Sequence, residues 1–264
     1  MISVDKQQLN IIKFLDAKLT KPYYYKMLTY HLLKKTVVLT IIFAILNTLF
    51  VIALMRARVS LRLQPKISRK IYHICIFTAA WFIQTFFGFY ALTVFATVVL
   101  LMAFDMLIIK KDRSLIRSMS TTYLLPLKKT TKQHILAPFI MTALGGLLTN
   151  IFFPLYAPVG YLVVGWGDAA GSIIGQKFGK YPISLKLFGK FKIKKTIEGS
   201  LGVYVFSALA MIVGLPFLHV PFLYAILAAI FFSLVITIVE IISPLHSDNL
   251  TIQLVVAFML WCIF

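Results

Sequence analysis

Carboxylates are scarce in this chain: eight Asp and Glu stand against 27 Lys and Arg in 264 residues, a formal charge of +19. Cysteine is scarcer still. Cys75 and Cys262 lie far apart in apolar segments, without the paired spacing of a zinc or iron–sulfur site, and read as packing residues. The first 35 residues lack the short apolar run and small-residue cleavage site of a signal peptide. No GxxxxGK[ST] phosphate loop, no HExxH and no Gly-x-Ser-x-Gly elbow occurs. Gly165-x-Gly167-x-x-x-Gly171 misses the dinucleotide fingerprint by one residue and has no strand before it. These absences exclude the familiar soluble nucleotide folds, and no nucleic-acid partner is expected.

What is abundant is hydrocarbon. The chain is 60% hydrophobic with a mean hydropathy of +0.91, too apolar for a soluble domain. The expected fold is all-α, a polytopic transmembrane helical bundle. Apolar windows fall near 36–55, 71–87, 89–109, 134–153, 157–175, 197–217, 221–242 and 250–264, which suggests about eight spans. Gly88 offers a turn between the second and third, Pro154 and Pro158 bracket the next turn on that face, and Pro216 and Pro221 the one after. Residues 1–35 read as a basic amphipathic tail, with Tyr23, Tyr24, Tyr25 and Tyr30 suited to a headgroup interface, ahead of a transmembrane domain over 36–264.

Outside the tail, every Lys and Arg falls in one of three connections: Arg56 to Lys70, Lys110 to Lys132 and Lys177 to Lys195. With eight spans these share one face, cytoplasmic by the positive-inside rule, and the opposite turns carry neither residue. The tail, with its seven Lys, is then placed on the outer face. Either it is translocated despite its charge, or one span is miscounted or re-entrant.

The chain is organised around Gly165 to Lys180. Gly167, Gly171, Gly175 and Gly179 recur every fourth residue, a smooth helical stripe where a backbone or a ligand can approach closely. Asp168 sits beside it, either a partnered acid in a packing groove or a functional residue. Beyond the tail the other acids are Asp105, Asp112, Glu198, Glu240 and Asp248. Asp112 is a loop residue among lysines; the others, with Asp168, fall near the basic face. Glu198 also reads as a first-turn acid against a helix dipole, and Asp248-Asn249 as a cap. Carboxylates gathered at one depth need cations between them, and Mg²⁺ favours one or two carboxylates plus phosphate oxygens.

The phosphate partner is expected in the loop from Lys177 to Lys195. Phe178-Gly179-Lys180, Phe188-Gly189-Lys190 and Lys192, Lys194 and Lys195 lead into Thr196-Ile197-Glu198-Gly199-Ser200 at a helix start, an anion cradle or a basic loop against anionic headgroups. Arg69, Lys70 and His73 share a helical face in the first basic connection.

Together, Gly167-Asp168-Ala169-Ala170 with Gly175-Gln176-Lys177-Phe178-Gly179-Lys180, then Lys194-Lys195-Thr196-Ile197-Glu198-Gly199-Ser200, then Glu240 and Asp248-Asn249-Leu250-Thr251, resemble the integral-membrane CTP-dependent lipid kinases, which include dolichol, phytol and diacylglycerol kinases. The resemblance covers roughly residues 66 to 260 and takes in Arg69-Lys70-x-x-His73. It implies phosphoryl transfer from CTP to the hydroxyl of a membrane isoprenoid alcohol at the cytoplasmic face. Lys-Lys-Thr-x-Glu-Gly-Ser looks more like the dolichol and polyprenol version than the phytol one. Asp168 is then expected to hold Mg²⁺ or accept the hydroxyl proton, and Glu240 and Asp248 to bind metal or nucleotide. Lys180, Lys194 and Lys195 fall to the phosphates, and Glu198 to metal or to orienting Lys195. Gly167, Gly175, Gly179, Thr196, Gly199, Ser200, Asn249, Arg69, Lys70 and His73 complete the expected substrate-binding set. The alternatives are a diacylglycerol kinase, a phosphatidate cytidylyltransferase, or a transporter of an anion or lipid phosphate.

Overall fold

The computed structural model describes residues 22–108, 132–187, 191–243 and 247–264. Helices dominate, in the order α1 (Pro22–Ser60), α2 (Pro65–Ile108), α3 (Lys132–Phe152), α4 (Ala157–Val163), a π-turn (Val164–Asp168) and α5 (Ala169–Phe178). A hairpin of β1 (Pro182–Leu187) and β2 (Phe191–Thr196) follows, then α6 (Ile197–Gly214) with a short 3₁₀ turn, α7 (Phe222–Ile242) and α8 (Asp248–Ile263).

Four helices among the described residues are long and apolar enough to cross a membrane: Tyr30–Ser60, Lys66–Met102, Ile197–Leu218 and Phe222–Ile242. The expected count of about eight spans is not supported. Pro138–Phe152 and Asp248–Ile263 are shorter apolar helices, and the window at 157–175 is broken by the π-turn. Residues 22–35, expected to belong to the tail, continue α1 as helix; residues 1–21 lie outside the described residues.

Helix α2 is not a straight rod. Gly88 has φ 82° and ψ 175°, a conformation essentially reserved for glycine. The Asn47 side chain accepts from the Tyr72 hydroxyl at 3.1 Å and meets the Met102 sulfur at 3.2 Å. Tyr72 and Met102 are thirty residues apart in sequence, about 45 Å along a continuous helix, so the chain folds back at Gly88 and lays its two halves side by side. Phe43 meets Phe95, and Phe50 stacks on Tyr72. These pairs run α1 parallel to the second half of α2, with Thr36 beside the Gly88 turn, where it bonds Tyr90, and Asn47 and Phe50 beside Tyr72. Gly88→Ala is expected to cost about 1–3 kcal/mol through backbone strain, read as a lower unfolding midpoint in detergent.

The centre of the bundle is α4, whose seven residues are all buried. It packs on α2, α6 and α8. Around it, Val203, Ala210, Met211 and Leu215 of the α6 segment, Ala225, Ala229 and Ile236 of α7, and Ile252, Val256 and Leu260 of α8 are nearly or fully enclosed. Small residues let α6 and α7 approach closely, as membrane helices do without a hydrophobic force between them. Large apolar residues such as Leu33, Phe87, Leu223, Phe231 and Trp261 point outward, a surface suited to lipid.

The loop expected between Lys177 and Lys195 contains the hairpin, which adds an antiparallel β element to the all-α fold. Its sequence alternates: Ile183, Leu185 and Leu187 are interleaved with Ser184 and Lys186, and Ile193 lies between Lys192 and Lys194. That is the two-residue period of a strand. Leu185 pairs with Ile193, and Ile183 with Lys195.

Candidate functional site

Asp168 is the last residue of the π-turn. Gly165 and Gly167 are weak helix formers that ease the widening of the helix here, and Trp166 anchors the turn by donating from Nε1 to Thr78 Oγ1 at 2.9 Å. Asp168 is 5% exposed. Its Oδ2 accepts from Lys70 Nζ at 2.6 Å, and His73 Nε2 lies 3.3 Å from the same oxygen. Lys70 and His73 are three residues apart on α2, on one face, which lets both reach one carboxylate nearly a hundred residues further on. A carboxylate at this depth is tolerable only with such partners.

A second charged pair stands beside the first. Lys195, on β2, bonds Glu240, near the end of α7 and 5% exposed. Burial works against the Lys195 charge, but the Glu240 carboxylate outweighs it and holds the ammonium above the usual lysine range. Asp168, Glu240 and Asp248 are close enough to repel one another, and Lys195 interacts with all three. Lys70 acts on both Asp168 and Asp248. Three carboxylates thus face two lysines, with exposed Arg69 at the rim of the adjoining cavity. Asn249 follows Asp248, donates from Nδ2 to Thr142 Oγ1 at 2.7 Å, and ties α8 to α3.

The rest of the expected site lies elsewhere. The glycine stripe faces α6, not a ligand. A methyl group on Gly167 would strike Ser207, one on Gly171 would strike Val203, and one on Gly175 would sit 2.9 Å from Thr196 Oγ1. A methyl on Gly179 would strike the Gly175 carbonyl, and one on Gly199 would lie 3.0 Å from that of Gly171. The stripe is the contact between the Gly167–Gly179 segment and α6: of the two occupants expected for it, a ligand or a neighbouring backbone, the structure places helix α6 there.

Thr196 is the N-cap of α6, accepting from the Gly199 amide at 3.1 Å. Glu198 accepts from the backbone amides of Lys180 at 2.9 Å and Tyr181 at 3.3 Å. Its carboxylate therefore fixes the approach to β1, and does not orient Lys195, whose partner is Glu240. Lys180 is exposed. Ser200 is buried, its hydroxyl without a hydrogen-bond partner among the described residues. The side chains of Lys194 and Asp105, and the segment Phe188-Gly189-Lys190, lie outside the described residues.

From the charged cluster a cavity of about 480 Å³ runs between the two halves of α2, α3 and α4, within the range of small-ligand sites. Lys70, His73, Asp168, Asp248 and Asn249 stand at its head, and its walls are apolar, with Ile76, Phe77, Leu92, Phe95, Val99 and Phe139 among them. The stretch of α2 from Lys70 to Ala80 follows its length, about 15 Å, or half of a ~30 Å hydrocarbon core. At the other end are Asn150 and Tyr161, bonded to each other, with Gln84 Nε2 donating to Asn150 Oδ1 at 2.7 Å. A charged head on an apolar shaft suits an amphiphile.

The chain is similar to a phytol kinase of Synechocystis sp.. The two are 27% identical over 142 residues, 52% of this chain and 59% of that relative, so the similarity spans little more than half of either. No family model matches the chain, and no solved structure matches it.

Mg²⁺ fits the cluster in one form only. Among the described residues, no three His, Cys, Asp or Glu side chains are placed to hold one ion together. Glu240 Oε2, however, is buried without a partner, and Asp168 and Asp248 lie in its field. One or two carboxylates completed by phosphate oxygens is the donor set Mg²⁺ prefers.

Proposed function

We propose that this chain phosphorylates the hydroxyl of a membrane isoprenoid alcohol, drawing the phosphoryl group from a nucleoside triphosphate, CTP by the resemblance of its motifs, at the cytoplasmic surface. The observation that carries the proposal is the continuity of the cavity: an apolar shaft of leaflet depth opens directly on buried Asp168 with its lysine and histidine partners. Likeness to a phytol kinase supports the same reading.

Phosphoryl transfer asks a protein for positioning and charge neutralisation more than for covalent chemistry. The alcohol would lie with its chain in the shaft and its hydroxyl at the head. Asp168 is the base within reach there; Lys70 holds its carboxylate in place, and His73, 3.3 Å from the same oxygen, offers a second station for the proton. Lys195 is held by Glu240 at the edge of the cluster, where its ammonium would face the phosphates. Glu240 and Asp248 would hold Mg²⁺, which when bound supplies charge for the phosphate oxygens. The buried, water-poor head strengthens each of these interactions.

The test is turnover by the purified chain in detergent or liposomes, with Mg²⁺, CTP or ATP, and phytol, a polyprenol or diacylglycerol as acceptor. A lipid monophosphate formed from an isoprenoid alcohol, identified by mass, is expected. Phosphorylation of diacylglycerol alone, or of no alcohol, would overturn the proposal.

A further inference from the structure

The shaft is shorter than many membrane lipids, and its far end is polar. Asn150 and Tyr161 line it and bond each other, and Gln84 donates to Asn150; a hydrocarbon chain gains nothing by pressing on amide and phenol groups that it cannot bond. A chain longer than the shaft must therefore turn aside. Three of the walls are closed: α4 is wholly buried, the first half of α2 packs on it, and α8 packs on both α3 and α4. The fourth side is different. Phe89, Thr93, Ala96 and Thr97 on the second half of α2 line the cavity and are exposed, and so do Ala143 and Leu147 on α3. Among the described residues, no extensive packing joins these two banks.

Resting on the proposed function, we infer that the gap between Phe89–Leu100 of α2 and Ala143–Leu147 of α3 is a lateral port, through which the distal chain of the acceptor lipid passes from the cavity into the bilayer. The cavity holds the segment next to the hydroxyl, and the remainder lies in the membrane. Acceptor chains much longer than the cavity are then substrates, because only the proximal segment needs to fit. The port also gives the lipid a route to Asp168 that never leaves hydrocarbon, while the nucleotide reaches the same cluster from water past Arg69. Ala96 and Ala143 keep the port open because their side chains are small.

Narrowing the port tests this. Ala143→Trp and, from the opposite bank, Ala96→Phe are assayed with a short prenol, geraniol, and a long one, solanesol, both against wild type. The ratio of kcat/KM for solanesol over geraniol is expected to fall roughly tenfold or more in each variant, the effect of a steric conflict in a packed passage. Leu144→Trp, on the outward face of α3 and 41% exposed, is expected to leave both activities unchanged. An unaltered ratio in both port variants, or equal losses for the two alcohols, would overturn the port. If wild type phosphorylates neither alcohol, it is the functional reading that fails. Turnover of both alcohols by wild type with an unmoved ratio in the variants leaves the kinase standing without the port.

Discussion

Asp168→Asn is expected to lower lipid phosphorylation by ~10²–10⁴-fold, the range a positioned base contributes, with the protein still folded and monodisperse in detergent. Asparagine keeps the size and an oxygen that can accept from Lys70, so the Lys70 contact at 2.6 Å has a surviving partner. What it loses is the charge and the capacity to take a proton. Nucleotide binding, read by quenching or calorimetry, should change far less than turnover. Activity within a few-fold of wild type would remove Asp168 from the chemistry and return it to helix packing.

Lys195→Met is expected to fail in two separable ways. Glu240 would remain 5% exposed without its cation, and breaking a buried pair by removing one partner costs about 3–5 kcal/mol, seen as a lower unfolding midpoint. Turnover should also fall by ~10²–10³-fold, the usual effect of losing one group that stabilises transition-state charge. The double variant Lys195→Met with Glu240→Leu separates the two. Replacing both members of a buried pair by apolar groups is often neutral for stability, so the midpoint should recover while activity stays lost. Recovery of both would show that the pair only holds β2 to α7.

Much of this arrangement is legible in the sequence. Acids in the apolar part of the chain are so few that Asp168, Glu240 and Asp248 stand out, and the turn at Gly88 follows from a lone glycine between apolar runs. Other parts are not legible for physical reasons. The span count fails because windows measure apolar length, whereas α3 and α8 are shorter helices and the Asp168 segment is broken by a π-turn that leaves hydropathy unchanged. The glycine stripe signals close approach but not by what; only the positions of Val203, Ser207 and Gly199 decide that it is helix. Glu198 and Thr196 share a motif with Lys195, yet they secure the loop while Lys195 reaches the cluster, since a strand followed by a helix start sends neighbouring side chains in different directions. The hairpin was visible as a two-residue alternation but was masked by the density of lysine. The cavity walls are ordinary span residues, and the meeting of Lys70 and His73 with Asp168 is a tertiary fact that no local pattern encodes.

The most direct test of the central claim uses one reaction with two positions of label. Purified chain, Mg²⁺ and an isoprenoid alcohol are incubated in parallel with CTP labelled at the γ-phosphate and CTP labelled at the α-phosphate, and the extracted lipid is counted. Label in the lipid from the γ position and none from the α position is the predicted result. Label from the α position would reveal cytidylyl transfer, and no label from either would contradict phosphoryl transfer from CTP to a membrane alcohol.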